Sequence, residues 1–190
     1  MKRKIIGLML AAVLVFALAA CGGSSDSEKA AQDSSSKAFV SFEAMDLDGN
    51  NVDSGMFGEN AVTVVNFWFS ECEACLEELG ELNKLNEELK EKGGAVIGVN
   101  TDTFDGNEKA VERAKEILKE KGADYTNIWV KSDSDLANFS MGLVAFPTTY
   151  VIDSNGNMVG EAILGGINNP SVMKLVQQQI DTAIALKDMA

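Results

Sequence analysis

The sequence contains no histidine in its 190 residues. Without an imidazole, Ser-His-Asp and Cys-His hydrolases are excluded, as is any zinc site that needs a histidine ligand. Basic residues are also scarce, because 16 lysines and arginines stand against 29 aspartates and glutamates, a formal charge of −13. Nucleic-acid binding needs basic side chains that neutralise phosphates, so this balance argues against a nucleic-acid partner. Apolar residues make up 46% of the chain, enough to build the core of one domain.

The chain begins with a basic segment, MKRK, followed by an apolar run of about 15 residues, which is short for a spanning helix. This pattern predicts that residues 1–20 are an export signal. Its end, LAAC, resembles the bacterial lipobox, which implies that Cys21 is lipidated and becomes the new N-terminus. An uncleaved anchor or an ordinary signal peptide remains as an alternative. We expect the protein to be lipid-anchored to the bacterial cell membrane and to face its extracytoplasmic side.

The segment that follows, residues 21–38, is rich in serine and lacks large apolar residues. It is predicted to be a flexible tether, and residues 39–190 to form one folded domain. Removal of the signal leaves 13 basic and 29 acidic residues, so a covalent lipid rather than surface charge would supply the membrane attachment.

The folded part alternates strand and helix patterns. A hairpin is predicted around DGNN, and the apolar run AVTVVNFWF predicts a central strand buried on both faces. Further patterns give the order β-α-β-α-β-α-β-β-α, with the last two strands joined by an Asn-Gly turn and Pro170 opening the final helix. This order predicts an α/β domain with a mixed sheet.

Cys72 and Cys75 are separated by two residues at the expected start of a helix. Free N–H groups and the helix dipole stabilise a thiolate there, so the pair suits an attacking and a resolving thiol. A static disulfide is the alternative, although the loop it would close is too short to stabilise the fold much. With Cys21 lipidated and no histidine, only two thiolates remain, and we expect no metal site.

The segment VVNFWFSECEACLEEL, followed about 70 residues later by FPTTYVID, resembles the thioredoxin superfamily, and most of all the membrane-tethered TlpA/ResA-like thiol-disulfide oxidoreductases. The resemblance implies a thioredoxin-like fold, with a central mixed β-sheet flanked by helices and an N-terminal β-hairpin extension. It implies that Cys72 attacks, that Cys75 resolves, and that their redox-active disulfide takes the place of a cofactor. It also places Pro147 as the family's cis-proline opposite the cysteines. Phe146, Pro147 and Trp68 are the expected substrate-binding residues.

The chain departs from the family pattern next to the cysteines. Glu71 replaces the usual tryptophan, Glu73 and Ala74 replace the common Gly-Pro or Pro-Pro spacer, and Gly80 replaces a helix-kinking proline. Negative charge disfavours a neighbouring thiolate, so the two glutamates are expected to raise the pKa of Cys72. A less stabilised thiolate makes the couple more reducing, which predicts a reductase.

Glu78 falls within the apolar stripe of the helix that follows the cysteines, whereas its acidic neighbours point away. Its helical position therefore predicts burial, and the ResA-like members carry a glutamate at this place. A buried carboxylate with a raised pKa could exchange a proton with Cys75. The alternative is a glutamate whose carboxylate reaches the rim of the domain.

The expected function is the reduction of disulfides in exported proteins, with a CcdA-type membrane carrier as possible electron donor. A peroxiredoxin-like peroxide reductase is a rival, but Phe69 stands where such enzymes carry a threonine, and Arg113 is predicted on a distant helix. A copper carrier of the Sco kind would need a histidine. A non-enzymatic thioredoxin-fold binding lipoprotein is the remaining alternative.

Overall fold

A computed structural model describes residues 37–189 of the chain. The strands are β1 (Glu43–Asp46), β2 (Asn51–Asp53), β3 (Val62–Trp68), β4 (Ala95–Asn100), β5 (Asn127–Trp129), β6 (Thr148–Asp153) and β7 (Ile163–Leu164). The helices are α1 (Met56–Glu59), α2 (Glu73–Glu91), α3 (Glu108–Lys121), α4 (Asp135–Met141) and α5 (Pro170–Asp188), with a short 3₁₀ turn at Phe104–Gly106.

The strands form one mixed sheet in the order β2-β1-β5-β4-β3-β6-β7. Strand β3 lies near the centre, parallel to β4 and antiparallel to β6, and all seven of its residues are buried. Two covered faces explain why its sequence is apolar at almost every position. The predicted α/β fold with a central mixed sheet, flanking helices and an N-terminal hairpin is confirmed.

The two faces of the sheet carry different helices. On one face, α2 packs over β4, α5 packs over β6 and β3, and α3 packs against α2, and together they bury a cluster that includes Trp68, Leu79 and Leu82. On the other, α1, α4 and the segment before β1 cover an aromatic layer that includes Phe39 and Phe67. The alternation of side chains along β3 therefore decides which of its residues face the cysteine-bearing helix α2.

Helix ends follow the local sequence signals. The Ser134 side chain accepts the Ala137 N–H and caps α4, while the Asn169 side chain accepts the Ser171 N–H ahead of Pro170 in α5.

Two features of the fold differ from the sequence prediction. The four-residue α1 was not predicted, and the strand after the Asn-Gly turn is interrupted, so that β7 holds only two residues.

The predicted export signal and Cys21 lie outside the described residues. The last two residues of the predicted tether belong to the fold, because Ala38 pairs with Asn157 and the Met158 N–H donates to the Lys37 carbonyl. The predicted boundary at residue 39 is therefore slightly late. Within residues 37–189, no helix has the length and apolar character needed to cross a bilayer.

Candidate active site

The two cysteines lie at the start of α2, shortly after the end of β3. Cys72 is the N-cap of α2, and the Cys72 N–H donates to the Phe69 carbonyl at 3.1 Å, which closes the turn between strand and helix. A disulfide joins Cys72 and Cys75, whose Cα atoms are 5.2 Å apart. Cys72 retains 8% exposure, whereas Cys75 has none. Cys72, the expected attacking cysteine, is thus the more accessible of the two, and Cys75, the expected resolving cysteine, is the less accessible.

The first turn of α2 directs an N–H group at the outer sulfur. Cys72 Sγ accepts the Cys75 N–H at 3.2 Å. In the dithiol form the same group would stabilise a Cys72 thiolate, because the first N–H groups of a helix lack carbonyl partners within the helix. The start of α2 therefore favours ionisation of the more accessible of the two sulfurs.

A second loop holds the segment before the cysteines. Asp102, just beyond β4, accepts the Ser70 N–H at 2.6 Å, and the Thr101 N–H donates to the Trp68 carbonyl at 2.9 Å. The two loops at the carboxyl ends of β3 and β4 are therefore joined. The role of Asp102 could not be predicted from the sequence, since nothing in a single polar loop residue indicates which distant N–H it accepts.

Phe146 and Pro147 lie beside the end of β3. Their peptide bond is cis, and Thr148, the next residue, pairs with Phe67 of β3. The half-buried Phe146 ring packs edge-on against Phe69, three residues before Cys72, with ring centres 5.2 Å apart. Pro147 is buried, and its carbonyl accepts the Gly165 N–H at 3.0 Å. The structure thus brings the Phe146–Pro147 segment to the same end of the sheet as the cysteines.

Trp68 does not fit its expected substrate-binding role. Its side chain is fully buried, and the indole N–H donates to Asn127 Oδ1 at 2.8 Å. Side chains alternate along β3, so Trp68 faces the core beneath α2 and has no surface to offer a substrate. Glu71, Glu73 and Ala74, by contrast, are exposed around the disulfide, where the sequence placed them.

Glu78 is fully buried one turn after Cys75, as its helical position predicted. Its Oε1 accepts Asn66 Nδ2 at 2.8 Å, and its Oε2 accepts the Ile167 N–H at 2.6 Å. Burial raises the pKa of Glu78 from 4.5 to about 7, and these two hydrogen bonds oppose the rise without cancelling it. The carboxyl group can therefore gain or lose a proton near neutral pH.

Three residues around Glu78 were missed in the sequence. Asn66 lies in the middle of β3, Thr149 on the neighbouring β6, and Ile167 in the loop before α5. An asparagine inside an apolar strand was the available signal, because a buried amide requires polar partners. Thr149 and Ile167 gave no such signal, since their contacts depend on tertiary pairing.

The loop from β7 to α5 borders the cysteines on a further side. Its Asn168 side chain lies 3.5 Å from Glu77, and a side chain at Gly166 would meet the Ala74 carbonyl. The Ile167 N–H reaches Glu78, as described above. This loop therefore connects the start of α2 with the cis-proline segment through Gly165.

The chain is similar to known proteins over most of its length. The family model described as "AhpC/TSA family" matches residues 36–160. Thiol-disulfide oxidoreductase ResA of Bacillus thuringiensis (strain Al Hakam) is 28% identical over 163 residues, covering 86% of each chain.

Two solved structures share the fold. The thioredoxin domain of a thiol-disulfide oxidoreductase from Bacteroides vulgatus is 25% identical, with a TM-score of 0.61, and the match covers 76% of this chain and 96% of that one. A thiol:disulfide interchange protein from Bacteroides sp. is 26% identical, with a TM-score of 0.58, covering 75% and 90%. The resemblance drawn from the cysteine and cis-proline motifs is thereby confirmed, and the chain belongs to the AhpC/TSA family as a TlpA/ResA-like protein of the thioredoxin superfamily.

Proposed function

We propose that this thiol-disulfide oxidoreductase reduces disulfides in exported proteins while anchored to the extracytoplasmic face of the membrane through a lipid on Cys21. The observation that carries the proposal is the disulfide at the start of α2, in which Cys72 keeps a small exposed fraction, Cys75 is fully buried and the buried Glu78 follows one turn later. The anchor is supported by the sequence alone, namely the basic start, the apolar run and the LAAC segment.

The reaction begins from the dithiol form. The Cys72 thiolate attacks one sulfur of the substrate disulfide and forms a mixed disulfide, and the other substrate sulfur leaves as a thiolate that takes up a proton. Cys75 then loses its proton and attacks Cys72 Sγ. The Cys72–Cys75 bond forms, the bond to the substrate breaks, and two electrons have passed to the substrate.

Glu78 is the proposed acceptor of the Cys75 proton. It follows Cys75 by three residues, which places both side chains on the same side of α2. A carboxyl group whose pKa is about 7 is largely ionised just above neutral pH, and can take up a proton when the neighbouring thiol ionises. An unperturbed glutamate would be a weaker base, and a buried resolving thiol would then keep its proton.

The cis-proline segment offers the substrate a place to pair. In the described part of the chain, no hydrogen bond engages the backbone N–H or C=O of Phe146. An extended substrate chain could therefore form strand-like hydrogen bonds there and bring its disulfide to Cys72. The highly exposed Val144, at 89%, adds an apolar contact near this segment.

The acidic rim favours the reducing direction. Glu71 and Glu73 are solvent-exposed on either side of Cys72, so their charges destabilise its thiolate. The disulfide form gains relative to the dithiol, and the couple gives up its electrons more readily. An external reductant must then restore the dithiol, and a membrane dithiol carrier of the CcdA type is the proposed donor.

Insulin reduction tests the activity. The chain without its signal should accelerate precipitation of the insulin B chain in the presence of dithiothreitol, and Cys72→Ser should lose this acceleration. Cys75→Ser should retain the attack and accumulate a mixed disulfide that a reductant releases, because the resolving thiol is missing. Equal activity of the wild type and Cys72→Ser would refute the reductase function and favour a binding lipoprotein.

Peroxide consumption separates the remaining rival. Phe69 occupies the position at which a peroxiredoxin-like enzyme would need a threonine, and Arg113 lies exposed on α3 with Glu116 at 3.7 Å. We therefore expect no Cys72-dependent consumption of hydrogen peroxide. If the protein consumed hydrogen peroxide faster than it reduced insulin, the peroxide reductase function would be favoured over the disulfide reductase function.

A further inference from the structure

Asn66 is a polar side chain in the centre of an apolar strand, and it is fully buried. Its amide nitrogen Nδ2 donates to Glu78 Oε1 at 2.8 Å and to Thr149 Oγ1 at 3.1 Å. Its carbonyl oxygen Oδ1 has no hydrogen-bond partner within residues 37–189. A buried acceptor without a partner is costly, so its retention in the core needs a reason.

The second oxygen of Glu78 determines where a proton can be placed. Oε2 accepts the backbone N–H of Ile167, a residue that is itself buried. An amide N–H can only donate, and leaving it unpaired in the core is unfavourable. Oε2 therefore remains an acceptor, and because a carbonyl oxygen accepts this N–H better than a hydroxyl oxygen does, we place a proton taken up by Glu78 on Oε1.

Protonation of Oε1 creates a conflict with Asn66. The new O–H group faces Nδ2, so two donors meet where a donor previously met an acceptor. A half-turn of the Asn66 amide removes the conflict, because it exchanges Oδ1 and Nδ2 without moving the backbone. Oδ1 then accepts the Glu78 O–H, and the Thr149 hydroxyl, which can either accept or donate, turns to donate to the same oxygen. Asn66 makes two hydrogen bonds in either arrangement, and the amide atom on its other side, Oδ1 before the turn and Nδ2 after it, has no partner within residues 37–189.

We propose that Asn66 is a positioning residue that serves both protonation states of Glu78, with its amide turning each time Glu78 gains or loses its proton. This inference rests on the proposed function for the source of the proton, which is the Cys75 thiol. The proton gained by Glu78 is then held by a hydrogen bond to Asn66 Oδ1 rather than lost to an unpaired site. A fixed donor at this position would stabilise only the carboxylate and would oppose proton uptake.

The other groups around Glu78 do not replace this role. Cys75 lies on the same helix, and Glu77 and Glu81 point to solvent or the rim. The charge of Glu78 also acts on Tyr125, a buried titratable residue that precedes β5. Burial, and secondarily the charge of Glu78, raise the pKa of Tyr125 far above its ordinary range, so its hydroxyl keeps its proton throughout the working range. Asn66 and Ile167 are the residues that donate to the carboxylate itself.

The turning of the amide can be observed by NMR in the oxidised protein, in which neither Cys72 nor Cys75 titrates. The Glu78 carboxyl carbon and the Asn66 side-chain NH₂ are followed from about pH 5 to about pH 9, around the Glu78 midpoint. We expect both signals to change with one common midpoint, and nuclear Overhauser contacts to show that the NH₂ approaches Thr149 only at high pH. An Asn66 NH₂ that keeps its contacts while Glu78 titrates would overturn the proposal.

Glu78→Gln supplies the matched reference state. A glutamine can keep its oxygen on the Ile167 N–H and must then direct its NH₂ at Asn66, so it imitates the protonated acid. The Asn66 amide of this variant should hold the low-pH arrangement at every pH. An arrangement in Glu78→Gln that equals the high-pH arrangement of the wild type would contradict the proposal.

A second variant tests the energetic coupling. Asn66→Leu removes a hydrogen bond from both states of Glu78, but the bond to the carboxylate is the stronger, so the midpoint should rise by about one pH unit. Thr149→Val should weaken the coupling between the Asn66 amide and the protonation of Glu78. Thr149→Ser keeps the hydroxyl and should preserve this coupling. An unchanged midpoint in Asn66→Leu would show that Asn66 does not hold Glu78.

These measurements need no substrate and no turnover. A failure of the amide to turn therefore leaves the reductase function standing, whereas loss of the reductase function is detected separately by the Cys72→Ser comparison. The NMR titration of the wild type also stands if Asn66→Leu does not fold.

Discussion

Replacing Glu78 with glutamine should change how the stability of the oxidised protein depends on pH. The folded protein holds the Glu78 proton more tightly than the unfolded chain does, because burial raises the pKa in the folded state only. The unfolded chain therefore binds fewer protons between the two pKa values, and the free energy of unfolding falls as the pH rises. The contribution of Glu78 is fully present below pH 4.5 and is lost as the pH passes through about 7.

The size of the effect follows from the same two pKa values. A pKa that rises from 4.5 to about 7 corresponds to a loss of about 3 kcal/mol, at about 1.4 kcal/mol for each pKa unit. Glutamine cannot ionise, so Glu78→Gln should escape this loss. The difference in the free energy of unfolding, variant minus wild type, should therefore grow by about 3 kcal/mol between about pH 4.5 and about pH 8.

Urea unfolding of both oxidised proteins at a series of pH values measures this difference. Subtraction removes the contributions of other carboxylates, because these are common to both proteins. Glu88→Gln, on the exposed side of the same helix, is the matched control, and should differ from the wild type by less than about 0.5 kcal/mol at each pH. If the Glu78→Gln difference stayed constant with pH, Glu78 would titrate alike in the folded and unfolded states, and its proposed role as proton acceptor would fall.

Two further predictions concern the rim of the site and the core beneath it. Glu71→Gln and Glu73→Gln should each raise the reduction potential of the Cys72–Cys75 couple by about 10 mV, since exposed charge pairs contribute about 0.5 kcal/mol. Glutathione redox titration measures this potential. A lower potential in either variant would refute the proposal that the two glutamates make the couple more reducing. Gly98→Ala should lower the free energy of unfolding by about 3 kcal/mol, because the new Cβ would collide with Asn127 Oδ1 and displace it from the Trp68 indole. A loss below about 1 kcal/mol in chemical denaturation would mean that Asn127 can move freely.

Local signals explain why the order of elements could be predicted from the sequence. The apolar run of β3, the capping residues Ser134 and Asn169, and the glycine that ends α3 each act over a few neighbours. The one-sided stripe of α2 was enough to predict that Glu78 is buried, because helical geometry fixes which residues share a face. The short helix α1 could not be predicted, since its four residues are too few to show a helical periodicity.

The sequence by itself determined the chemistry: two cysteines at the start of a helix, a glutamate one turn further, and a proline about 70 residues later. Each of these features can be recognised from the spacing of residues within one element or from a specific motif. Only the tertiary structure decided that Trp68 is a core residue, that Asp102 holds the segment before Cys72, and that Asn66 and Ile167 share the two oxygens of Glu78. The physical reason is that hydrogen bonds and burial between residues far apart in the chain depend on strand order and register, which no local pattern specifies.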